Sequence, residues 1–137
     1  IALMNHVGDQ SNLILDPDLD SYYLMETVAI RLPLMTEQIG QARGFGTGLA
    51  QRQTVTEYDR FRLLNLASMI EASRDTLTHH FDVTMRETHD PKLAADVEPL
   101  LKRSIAATGQ FVDLIKNNTR DESRVTASAE ELWNAGT

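Results

Sequence analysis

Between Asp16 and Phe45 the chain reads DPDLDSYYLMETVAIRLPLMTEQIGQARGF, and apolar residues return at alternating intervals of three and four: Met25, Val28, Leu32, Met35, Ile39 and Ala42. That spacing puts one stripe on one side of an α-helix, and a stripe of this kind is stable only against a partner helix. Asp16 is placed as an N-cap and Pro17 as the first helical residue, with Asp18 and Asp20 in the first turn where negative charge is favoured. Pro33 removes a backbone hydrogen bond and is expected to bend the axis, and Gly44, Gly46 and Gly48 to end the helix.

The same logic extends along the chain. Ile1 to Val7 reads as the last turns of a helix closed by Gly8, and the apolar Leu13 to Leu15 are expected to fold over a bundle end. Thr54-Val-Thr-Glu57 has capping-box spacing and opens a helix whose apolar side is Leu63, Leu66, Ile70, Leu77, Phe81 and Met85. Asp90-Pro91 repeats the cap-and-proline start of Asp16-Pro17 after a tight hairpin, and Leu93, Val97, Leu100, Leu101, Ile105, Phe111 and Ile115 face inward on the next helix, which Pro99 bends. Asn117 to Val125 is polar and aperiodic, a surface loop; Ser128 to Glu131 is a second capping box, opening a helix that Trp133 anchors. Alternation of period two is nearly absent. The expected fold is all-α: an elongated antiparallel up-and-down bundle of three full helices plus truncated terminal helices, four-helix-bundle-like. Helices are predicted near 17 to 43, 55 to 89, 91 to 117 and 128 to 136.

A chain of 137 residues suits one domain, and a net charge of −7 argues against a surface for nucleic acid or anionic lipid. There is no cysteine, hence no disulfide, thiolate-bound zinc or thiol catalysis. No apolar run reaches the roughly 20 residues of a membrane-spanning helix. The abrupt start at Ile1 and end at Thr137 suggest a segment of a longer protein.

The run VGDQSNLILDPDLDSYYLM at Val7 to Met25, followed by RLP at Arg31 to Pro33 and GQARGFG at Gly40 to Gly46, with a weaker echo in ELWNAGT at Glu131 to Thr137, resembles the extracytoplasmic helical sensor module of bacterial methyl-accepting chemotaxis proteins and related membrane sensor kinases. The resemblance covers mainly the first third of the chain. It implies a periplasmic ligand-binding domain that signals as a homodimer, flanked in the parent receptor by membrane helices and a cytoplasmic signalling domain. The alternative is a structural or protein-interaction bundle, a spacer with no small ligand.

No catalytic apparatus is legible. A nucleophile with its base, a phosphate loop and paired carboxylates are all missing, so an enzyme is not expected, nor a cofactor. Asp16, Asp18 and Asp20 begin like a calcium loop, but Pro17 and Ser21 spoil the turn and Glu26 falls one residue early; capping is the better account. His79 and His80 point about 100° apart on a helix, which disfavours a metal site, and neither they nor His89 sit in a phosphoacceptor pattern.

The candidate ligand site is Tyr22, Tyr23 and Arg31 on one wall, with Ser73, His80 and Ser104 on the others. Arg31 offers a planar fork for a small carboxylate. Reflecting the helices about a turn near Gly48 sets Tyr22 level with Thr76, and reflection about Asp90 pairs Leu77 with Ser104 and His80 with Leu100. The plainer reading is that the tyrosines pack, Arg31 makes ion pairs and the serines bond back to their own helices.

Overall fold

A computed structural model describes residues 19–52, 55–119 and 125–137. The chain is an all-α helical bundle whose long helices pack against one another, and no strand occurs among the described residues. Helix α1 is Leu19–Glu26; a π-helical turn, Thr27–Arg31, follows, and α2 is Leu32–Ala50. Helix α3 is Glu57–Glu87, α4 is Pro91–Asn118 and α5 is Ala129–Ala135. The expected roles of Ile1 to Leu15, and of Asp16, Pro17 and Asp18, lie outside the described residues.

The helix expected to stop at Gly44 runs on to Ala50. Glycine ends a helix where the backbone must turn left-handed, but nothing prevents it from staying helical when packing holds it. At Gly46 a Cβ would stand 3.5 Å from the tips of Leu63 and Leu132, an ordinary van der Waals distance, so those side chains pack over the helical backbone there. Around Gly44, by contrast, a Cβ would meet nothing within 4 Å. Gly44→Ala is therefore expected to raise stability by roughly 0.5–1 kcal/mol, the helix-interior difference between the two residues, measurable by urea denaturation.

The start of α3 is capped two residues later than Thr54 implies. Thr56 is the cap: its hydroxyl accepts from the Asp59 amide at 3.1 Å, and Asp59 Oδ2 accepts from the Thr56 amide at 3.2 Å. The same two groups of Thr56 hold the Asp59 carboxyl below its usual range. Asp90 caps α4 as expected, accepting from the Lys92 amide at 2.9 Å, and Ser128 with Glu131 forms a complete capping box. Helix α4 continues to Asn118, into what reads as loop.

The bundle divides into two compact units, each discontinuous in sequence: Ile1–Thr36 with Ser73–Ser104, and Glu37–Ala72 with Ile105–Thr137. The second is filled by apolar side chains. Ala42, Leu49, Leu63, Leu66, Ala67, Ile70, Phe111, Val112, Ile115 and Leu132 belong to one buried cluster. Its last helix is held by Leu132, which is fully buried, and not by Trp133, which is half exposed. The Arg43 guanidinium carbon instead lies over the Trp133 ring, 4.3 Å from its centre, and Arg43 donates from Nη1 to Thr137 Oγ1 at 3.1 Å. The guanidinium over the ring makes a cation–π contact with the indole while α5 is docked by the leucine beside it.

In the first unit the buried described residues are of mixed character: Met35, Leu77 and Val83, together with His80 and Thr84. Two expected core positions there are exposed, Val28 at 57% and Leu100 at 66%. Val28 lies within the π turn, whose wider winding breaks the 3.6-residue phase on which its inward placement depended. Leu100 directly follows Pro99 in α4, and the inward face farther along that helix is carried by Thr108, Phe111, Val112 and Ile115.

A candidate polar site around His80

Five side chains of the first unit converge. Tyr23 stands edge-on to His80 with ring centres 4.9 Å apart, and Tyr22 is edge-on to Tyr23 at 5.4 Å. Glu26 lies one turn beyond Tyr23. Its Oε1 accepts from both Nε and Nη2 of Arg31, at 3.0 and 2.5 Å, while its Oε2 is 3.7 Å from Nδ1 of His80.

The π turn explains why Arg31 reaches Glu26. In an α-helix residues five apart are about 140° out of line, since each residue advances about 100°. A π turn closes its hydrogen bond over five residues, here from the Leu32 amide to the Thr27 carbonyl, and so brings such pairs nearly onto one face. The turn sits just ahead of Pro33, where the missing N–H already interrupts α-helical bonding.

The imidazole of His80 is the most constrained group of the five. Its side chain is only 8% exposed, and Nδ1 is buried without a hydrogen-bond partner among the described residues: 3.7 Å to Glu26 is within ion-pair range and too long for a hydrogen bond. Burial lowers its pKa below the ordinary 6.5; Glu26 pulls the other way, and Arg31 and His79 reinforce the lowering. The ring is thus biased toward the neutral form, next to a carboxylate that Arg31 already neutralises.

Of the six residues proposed from sequence, the structure brings Tyr22, Tyr23, Arg31 and His80 together. Ser73 is half-buried two turns before His80 on the same side of α3, and Ser104 is exposed on α4. Glu26, the hub of the arrangement, was missed, because a search at spacings of three and four does not connect it to Arg31. His79 was set aside as a metal ligand, yet its ring is 6.3 Å from Tyr23. The level of contact differs as well. Tyr23 meets His79 and His80, farther along α3 than the Thr76 level expected, because the chain reverses between Ala50 and Glu57 and not near Gly48.

No family model, characterised protein or solved structure matches the chain. Chemically, the cluster offers one guanidinium, one carboxylate, a buried imidazole and two phenols. That set binds and orients polar groups. Among the described residues no three His, Asp or Glu side chains are placed to hold a metal ion.

Proposed function

We propose that this chain is the extracytoplasmic sensory domain of a bacterial membrane receptor of the methyl-accepting chemotaxis kind, a homodimer in its parent, binding a small anion and relaying helix movement to the membrane. The sequence runs at Val7 to Met25, Arg31 to Pro33 and Gly40 to Gly46 support the class. The observation that carries the ligand reading is the Glu26–Arg31–His80 cluster. A spacer would fill both of its units with apolar side chains, as the second unit is filled, whereas a sensor needs polar groups held inside one of them.

In the arrangement described, Glu26 acts as an internal stand-in for the anion. A ligand carboxylate taking the fork of Arg31 displaces Glu26, and Glu26 in turn is tied to the π turn. A π turn holds one residue more than the α-helix around it, so its migration or loss rotates the segment before it. This gives the two-state element that a relayed signal requires, with displacements of about 1–2 Å typical of such helix shifts.

The exposed Tyr58, Phe61 and Met69 on α3 favour the alternative, a docking bundle, since large apolar groups in solvent often mark protein contacts. A thermal-shift screen against small carboxylates separates the two. A stabilising ligand is expected, and Arg31→Lys should lose most of the ligand-induced shift, because an ammonium cannot reproduce the planar fork. Equal shifts in the two proteins, or none across the panel, would remove the site.

A further inference from the structure

The cluster carries a second property that does not depend on any ligand. We propose that the first unit contains an acid-sensitive latch: His80, buried against Tyr23 with Nδ1 turned toward a carboxylate that Arg31 already holds, keeps α1 seated on α3 only while the imidazole is neutral.

The balance of charge in a confined place sets the outcome. With His80 neutral, Glu26 and Arg31 compensate each other. Protonation puts two cations around one carboxylate, with the new charge on a side chain that water barely reaches. Among the described residues, the charged groups that act on the ring are Glu26 from α1, Arg31 from the π turn and His79 from its own helix, with none from α4. Glu26 favours the imidazolium, while burial, Arg31 and His79 disfavour it, and burial is the largest effect.

The consequence for stability follows by linkage. A histidine whose folded-state pKa lies below its unfolded value binds a proton more readily when the chain opens. Its contribution is therefore intact above about pH 6.5 and is lost as the pH falls below that value. The release is local, since the groups that oppose the proton, Arg31 and His79, lie on the π turn and α3, and the ring is buried against Tyr23 of α1. Acid should free residues 19–31 from α3 before the apolar second unit opens. For a domain facing the exterior of a cell, this makes the proton itself an input.

The test uses the whole 137-residue chain. The His80 ring is titrated by NMR in the folded protein and again in urea, with backbone amide exchange of residues 19–31 followed in parallel. Expected are a lower pKa for His80 in the folded protein than in urea and an acceleration of amide exchange in residues 19–31 as the ring protonates. His80→Gln, which cannot take the proton, should lose less melting temperature than the parent between about pH 7.5 and about pH 5, the carboxylates common to both cancelling. The proposal is overturned if the folded pKa equals or exceeds that in urea, if exchange in 19–31 does not respond, or if the two proteins lose melting temperature equally. Should His80→Gln not fold, the titration and exchange of the parent protein decide alone.

Discussion

Phe111→Ala is expected to destabilise the chain by about 3–5 kcal/mol, the largest effect of any single truncation considered. The ring is 1% exposed and lies in the apolar cluster of the second unit. It also fills the space beside Gly136, where an added Cβ would come within 3.1 Å of Phe111 Cζ, so the end of the chain is packed against it. Removing the ring leaves a cavity that helices fixed on several sides cannot close. Leu100→Ala supplies the control: the sequence put Leu100 and Phe111 on one inward face, yet Leu100 is 66% exposed and its truncation should stay within about 0.5 kcal/mol. Urea denaturation of both variants measures the difference, and comparable losses would mean that the buried face of α4 has been misplaced.

Glu26→Ala is the second large effect, on the order of 1–2 kcal/mol. The carboxylate serves two partners, Arg31 and His80, and its removal leaves a guanidinium and a buried imidazole nitrogen without it. Complete burial would make the loss greater, but the Arg31 side chain is 35% exposed and water partly replaces the missing acceptor. The comparison pair is Glu98–Lys102 on α4, spaced as an ordinary helical pair with side chains 44% and 72% exposed; Glu98→Ala should cost no more than about 0.5 kcal/mol.

These two sites show what the sequence makes legible. Leu63, Leu66, Ile70 and Leu77 follow helical periodicity and are buried, as are Phe111 and Ile115, because an α-helix converts spacing directly into direction. Asp90 and Ser128 cap their helices because capping is local chemistry, decided within a few residues. Long-range choices were not legible. Gly46 stays helical because Leu63 and Leu132, distant in sequence, pack over it. That extension moves the point of reversal and shifts every level read by reflection.

The site was half legible for a related reason. Tyr22, Tyr23, Arg31 and His80 stand out as polar or aromatic residues near an apolar stripe, and the structure gathers them. Glu26 does not stand out, since its partnership with Arg31 exists only where the helix widens into a π turn, and its approach to His80 depends on the register of two helices. Neither property belongs to a spacing of three or four.

In the proposed sensor, Arg31 and His80 form a receptor for a carboxylate, with Glu26 standing in for it. Chemical rescue of Glu26→Ala tests this most directly. The melting temperature of Glu26→Ala is measured with increasing acetate and, at equal ionic strength, with chloride, beside the double variant Glu26→Ala, Arg31→Lys. The account predicts that acetate restores much of the lost stability in the single variant, well beyond chloride, and that the double variant shows no such preference. Equal responses to acetate and chloride in Glu26→Ala would contradict it.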